Sequence, residues 1–218
     1  MTTGALPNLQ GFENLGGFHN VPGKLEIMRI LTLFSILFLL ACQKSEYHQL
    51  VTAELASGKR HDDIFLDVHF GMPAKEFYDH CWKLNKEGVL RQSNQNNAVY
   101  FAVDSTLTEH QIDINFYPNF SEDGKIVEMP CLVNYRNWTP WDKDMEGDDL
   151  VEDTRDLFAQ WYDGEFIKLE RAGKLPAWVK VDGNRRTVIT KRDENTAKVV
   201  ITDLTAEVGE DTRAKGLK

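Results

Sequence analysis

The sequence predicts an α+β fold in which helices pack on an antiparallel meander sheet. Three observations carry this reading. Two segments, 74–85 and 149–163, place apolar residues at helical spacing. The stretch Gln111-Ile112-Asp113-Ile114-Asn115-Phe116-Tyr117 alternates apolar and polar side chains, as a strand with one buried face does. Between two β-rich runs stands Asp182-Gly183-Asn184-Arg185, a tight hairpin turn with Gly183 free to take a positive φ. A chain of 218 residues with 42% apolar and 27% charged residues has the composition of a globular protein.

Along the chain, residues 45–60 read as a polar tether with a short helix at 49–56. Residues 63–70 read as one short strand, broken by Gly71-Met72-Pro73. Pro73 suits a helix start, and the helix over 74–85 sets Phe77, Cys81 and Leu84 on one face, with Tyr78 and Trp82 beside it and Gly88 as its stop. A polar Gln/Asn loop over 91–97 precedes strands at 98–103, 111–117 and 125–135. In the last of these Val127, Met129, Cys131, Val133 and Tyr135 share a face, and Pro130, lacking an amide hydrogen, argues for an edge or a bulge.

A second helix follows, with Asp149 and Glu152 as a capping box and Leu150, Thr154, Leu157, Phe158 and Trp161 as its apolar stripe. After an irregular 165–175 come strands at 177–181, 186–191 and 197–202, then a polar tail over 205–218. The order helix then three-strand meander thus occurs twice, with Gly71 and Gly147 standing 76 positions apart. It suggests a duplicated unit, (αβββ)2, with a first α+β unit at 63–136 and a second at 137–204; one domain with look-alike halves is the alternative.

The amino-terminal part has another character. Arg29 is followed by an apolar run from Ile30 to Ala41, 12 residues long. A helix needs about 20 apolar residues to cross a bilayer core, so the run is too short to span one. Only Thr32 and Ser35 interrupt it, so it lacks the polar stripe of a core helix. A positive residue, a short apolar region and a small residue before Cys42 are the parts of a secretion signal. Leu39-Leu40-Ala41-Cys42 resembles the lipobox of bacterial lipoproteins, in which the signal is removed and the cysteine carries the acyl chains.

That resemblance implies a signal peptide at 28–41, palmitate-type acylation at Cys42, a tether over 42–62 and anchorage in the bilayer through the lipid. Gln43 at the second mature position implies the outer membrane, by similarity to the enteric sorting rule. Met28-Arg29 is itself a good signal start, so translation is expected to begin at Met28, with 1–27 a non-native or mis-called extension. In element order alone, residues 70–203 resemble small helix-on-sheet lipoproteins, including an accessory subunit of the outer-membrane assembly machine, and the tandem-repeat β-lactamase inhibitor protein. This is an analogy of fold and brings no functional residues with it.

Charge narrows the partners. The net charge of −9, from 34 acidic and 25 basic residues, argues against nucleic acid, which is held by Lys and Arg. Around Asp142, Asp144, Glu146, Asp148 and Asp153 the chain resembles an EF-hand calcium loop, with Gly147 at the bend. It departs from that pattern at long Glu146, at Asp149 where an apolar residue is usual, and at Asp153 in place of the bidentate Glu. The alternative is acidic residues gathered at a helix amino terminus.

His61, Asp62, Asp63, Asp67 and His69 supply metal-type ligands without a fixed spacing. Cys81 and Cys131 form a disulfide in an oxidising envelope or remain two buried thiols. Tyr135, Trp138 and Trp141 cluster near a strand end. Trp178, Lys180, Ile189 and Lys191, with Thr187, fall on the sheet face opposite Val179, Val181 and Val188. They form a candidate binding face if it is open, and core if a second layer covers it. Lys180, Arg185, Arg186, Lys191 and Arg192 make the second meander locally basic.

No nucleophile elbow, phosphate loop or zinc-protease motif occurs in the sequence. The expected role is therefore a non-catalytic binding or assembly module of the envelope with a protein or glycan partner. The competing class is a glycan-processing or solute-capture component.

Overall fold

A computed structural model of the chain describes residues 46–94, 98–170, 173 and 175–206. The 1–27 segment, the predicted signal at 28–41, Cys42 and the end of the polar tail lie outside the described residues. Three helices, α1 (Glu46–Ala56), α2 (Ala74–Lys86) and α3 (Gly147–Tyr162), accompany eleven strands among the described residues, an α+β architecture.

The strands are β1 (Asp63–Phe65), β2 (Val68–His69), β3 (Leu90–Gln92), β4 (Val99–Ala102), β5 (Ile112–Phe116), β6 (Asn119–Phe120), β7 (Ile126–Tyr135), β8 (Ile167–Leu169), β9 (Ala177–Asp182), β10 (Arg185–Asp193) and β11 (Thr196–Asp203). β1 and β2 make a small hairpin of their own. The others form one antiparallel sheet in the order β3-β4-β5-β7-β11-β10-β9-β8, with β6 also on β7. Each predicted unit supplies one flank of this sheet. The last strand of one meander, β7, pairs with the last strand of the other, β11, from Val133↔Ala197 to Glu128↔Thr202.

Alternation places the core on one face. Ile114 and Phe116 of β5, Met129, Cys131 and Val133 of β7, Val199 and Ile201 of β11 and Ile189 of β10 all lie inside. Above them α3 lays Leu150, Leu157 and Phe158 across the seam, while α2 contributes Phe77. Each such side chain, fully buried, stabilises the fold by about 1.5–3 kcal/mol. The first turn of α2 is tied to the sheet because the Ala74 N–H donates to the Gly124 carbonyl at 2.9 Å.

Several expectations are corrected. The single strand over 63–70 is a hairpin, because Leu66 and Asp67 both take positive φ and fold β1 back onto β2. The polar 91–97 loop begins inside a strand, β3, whose Leu90 is buried and whose Arg91 and Gln92 are exposed at the sheet's end. The irregular 165–175 contains β8. Helix α3 starts three residues earlier than the Asp149/Glu152 box implied: Asp149 is its third residue and accepts from the Glu146 N–H at 3.2 Å, so the box closes on Glu146.

Pro130 is not at an edge. It pairs with Val200 on one side, and on the other its carbonyl accepts from Tyr117 N–H at 3.4 Å. The return bond to Tyr117 is the one that proline cannot make, and Pro118 follows at once. One ladder position is therefore lost. β5 and β6 are the two pieces of one strand broken there, since Phe116↔Cys131 and Asn119↔Glu128 keep the same register.

Of the two alternatives for the cysteines, the structure has the thiols: Cys81 and Cys131 are both free. Burial pushes the Cys81 thiol up to about 11, and total burial raises that of Cys131 as well, so both stay protonated and inert near neutrality.

The β9–β10 turn follows its sequence signal. Gly183 has φ +54, and a Cβ there would stand 2.2 Å from the Lys59 carbonyl oxygen. Gly183→Ala is therefore expected to destabilise the domain by about 2–4 kcal/mol, combining the left-handed penalty with the clash. Urea unfolding checks this, and an unchanged midpoint would contradict it.

Candidate functional site

A cleft of about 660 Å³ opens beside the β1–β2 hairpin. Its local origin is the two-residue turn Leu66-Asp67, with φ of +53° and +59°. Both central residues of such a turn sit in the left-handed region, which normally selects Asn-Gly or Asp-Gly. Asp67 tolerates that conformation, whereas Leu66 has a Cβ that opposes it at about 1–2 kcal/mol. The third non-glycine residue with positive φ, Asp163 at +48°, ends α3 on the opposite wall. Thus all three non-glycine residues held in this region, among those described, line the same cleft.

Strain persists only where its surroundings over-determine it. Three side chains from three elements hold the hairpin by its carbonyls. His80 of α2 donates Nε2–H to the Leu66 carbonyl at 2.7 Å. Tyr162 of α3 donates its hydroxyl to the Ile64 carbonyl at 2.7 Å. Arg185 of β10 donates Nη1–H to the Asp63 carbonyl at 2.8 Å. Arg185 also lies 3.7 Å from the centre of the Tyr162 ring, a cation–π contact, and reaches Asp182 at 3.2 Å. Burial, the largest cause, raises the Tyr162 hydroxyl above its ordinary range, so it remains a donor.

The walls are apolar and aromatic. Phe65 packs edge-on against Phe116 at 4.9 Å and tilted on Trp161 at 5.8 Å, and Leu66, Phe101 and Leu107 complete the lining. The rim is acidic, with Asp63, Asp67, Asp104 and Asp163 around it. Asp104 accepts from the amide and hydroxyl of Thr106, both at 2.9 Å, which holds its carboxyl below the usual range. The carboxylates of Asp63, Asp67 and Asp163 are exposed and make no side-chain hydrogen bond or ion pair with any described residue. Arg185, the guanidinium facing them, is 5% exposed and already engaged. Such a cleft offers apolar stacking inside and negative charge at its mouth.

The residues singled out from sequence are distributed as follows. Of the metal-type set, His61, Asp63 and Asp67 line the cleft, whereas Asp62 pairs with Arg60 at 2.6 Å and His69 Nδ1 lies 2.9 Å from the Phe70 carbonyl. In the calcium-like loop, Asp142 accepts from the Asp144 N–H at 3.3 Å, and Asp148 lies 3.4 Å from the Lys191 ammonium. Asp153 accepts from the Tyr135 hydroxyl at 2.7 Å, and Glu146 stands at the α3 cap. These carboxylates diverge, and among the described residues no three His, Cys, Asp or Glu side chains gather as metal ligands.

Of the two readings of the Trp178/Ile189 face, core is the one the structure has, because α3 is the layer that covers it. Ile189 is completely buried under the helix. Trp178 is packed beneath the Arg155 guanidinium at 4.6 Å. Lys180 pairs with Asp182 at 2.6 Å, and Lys191 with Glu194 at 2.9 Å. Of the aromatic cluster, Tyr135 and Trp138 face the core while Trp141 is 88% exposed. Sequence reasoning missed Leu66, Phe101, Leu107 and Asp163. A Leu-Asp pair carries no turn signature, and the other three meet only in three dimensions.

Replacing Leu66-Asp67 by Asn-Gly is expected to raise the stability of the folded domain by about 1–2 kcal/mol, since it relieves the left-handed penalty. A urea midpoint that stays level or falls would show that the turn is not strained. Compared with protein-family models, with curated proteins and with solved structures, the chain has no match in any of the three.

Proposed function

We propose that this chain is a lipid-anchored protein of the cell envelope whose folded domain is a non-catalytic binding or assembly module, with the cleft beside the hairpin as its binding site. Anchorage rests on the signal architecture ending at Leu39-Leu40-Ala41-Cys42, and Gln43 favours the outer membrane. One observation carries the binding role: an aromatic-walled cleft of about 660 Å³, built on backbone held in strained geometry, whose rim carboxylates Asp63, Asp67 and Asp163 make no side-chain hydrogen bond or ion pair with a described residue. The occupant that fits is a segment of another envelope component bearing Lys or Arg beside an aromatic or aliphatic side chain. Its cations satisfy the rim and its apolar part displaces water from the walls. Among the described residues no helix is long and apolar enough to cross a membrane.

Two measurements test the two parts separately. In native cells the wild-type chain should take up labelled palmitate and the Cys42→Ala variant should not; equal labelling would end the anchor assignment. With the purified full chain, Trp fluorescence titrated with a short Lys/Phe peptide should report binding that weakens with salt. Asp67→Asn/Asp163→Asn should weaken that binding about three- to tenfold. Equal binding of an Asp/Phe peptide, or an unchanged affinity in the double variant, would refute the assignment of the cleft.

A further inference from the structure

A second cleft, of about 290 Å³, lies on the sheet face away from α2 and α3, over β4, β5 and β7. The register explains why polar groups meet there. Asp113 and Asn115 alternate with the buried Ile112, Ile114 and Phe116 of β5, so they point to the other face. Across the ladders Tyr100 sits beside Asn115, and Asp113 beside Asn134. Ser93, at the end of β3, and Asn195, in the β10–β11 turn, close the sides.

Three of these residues are buried: Ser93 and Asp113 at 9% exposure and Asn115 at 7%. Buried polar groups need hydrogen-bond partners, so what each has left over after its bonds within the protein decides what the space can hold. The space amounts to roughly ten water molecules at about 30 Å³ each, the lower end of the range for small-molecule sites.

Valence sets what each group has left to offer. Asn115 Oδ1 accepts from the Ser93 hydroxyl at 2.7 Å, which leaves its amide hydrogens as donors. Asn134 uses its amide group on the Asn195 carbonyl at 2.5 Å and on the Thr196 hydroxyl at 3.0 Å, which leaves its oxygen as an acceptor. Asn195 Oδ1 is buried without a hydrogen-bond partner, a further acceptor. Asp113 is neutralised by Arg136, whose Nε and Nη2 both donate to its Oδ1 at 2.8 and 2.7 Å, and the Tyr100 hydroxyl faces the same carboxylate.

The lining therefore carries no net charge and mixes donors with acceptors around one phenol ring. An anion would meet an acidic group there, and a cation would meet a carboxylate already paired. An apolar ligand would leave the buried amides unsatisfied, at about 1–3 kcal/mol each. A neutral polyhydroxy compound matches, because each hydroxyl both donates and accepts and the carboxamides do the same. We infer that this amide-lined cleft is a binding site for a neutral sugar, distinct from the acidic cleft on the other face and independent of its occupant.

The test uses the full chain with ¹⁵N labelling. Glucose and N-acetylglucosamine serve as neutral probes, with glucuronate and glucosamine as charged counterparts. A neutral probe should shift the side-chain amide signals of Asn115 and Asn134 in a saturable manner, and the charged pair should bind less well. Asn115→Leu should weaken the neutral probe at least about tenfold, from lost hydrogen bonds, while Asp67→Asn in the other cleft should leave it unchanged. Asn134→Leu, at a half-buried position, serves as the second variant should Asn115→Leu fail to fold. The inference falls if neither neutral sugar shifts these signals at decimolar concentration, if a charged sugar binds as tightly, or if the folded Leu variants bind as the wild type does.

Discussion

The pairing of β7 with β11 is the constraint on which the rest of this structure depends. Each four-strand meander ends in a strand that would be an open edge, a row of unpaired donors and acceptors. Joining the two edges antiparallel, from Val133↔Ala197 to Glu128↔Thr202, removes both and makes one sheet. It also aligns Cys131 with Val199 and Met129 with Ile201, so the apolar rows of the two halves become one surface for α3 to cover. Without the seam, α3 would have half a floor beneath it, and Ile189, Val199 and Met129 would not share a core.

The seam also explains how the acidic cleft is built. The hairpin is held by His80 from the first meander's helix and by Tyr162 and Arg185 from the second half. A turn with Leu66 at positive φ is kept only because these anchors sit on one rigid platform. The same platform presents a second face, where alternation along β5 turns Asp113 and Asn115 away from the core toward Tyr100 and Asn134. Two clefts of opposite chemistry thus follow from one sheet, acidic and aromatic on the helix side and neutral and amide-lined on the other.

Much of the fold was legible because its signals are local. The stripe Leu150, Thr154, Leu157, Phe158, Trp161 and the alternation at 112–116 identify elements within one turn or one pleat. The Gly183 hairpin announced itself through a residue whose backbone freedom the turn needs. Pro130 misled because its cost depends on which neighbour its missing amide faces, and that neighbour, Tyr117, stands beside a second proline. The Leu66-Asp67 turn was invisible for the complementary reason, its geometry being imposed by distant side chains rather than by its own. The alternation around Trp178 and Ile189 was read correctly as a shared face, but which face α3 covers is decided by packing. The amide cleft lies beyond sequence reasoning because Ser93, Asn115, Asn134 and Asn195 come together only through register.

Native-state hydrogen exchange tests the central claim, that the two meanders are one cooperative unit joined at the seam, most directly. The account predicts that the ladder amides of β7 and β11, including Cys131, Val133 and Val199, exchange most slowly. It also predicts that β5 and β10, on opposite sides of the seam, open with the same free energy and the same denaturant dependence, that of global unfolding. Exchange in which β3–β7 opens at distinctly lower free energy than β8–β11, or the reverse, with the seam amides following the weaker half, would contradict it.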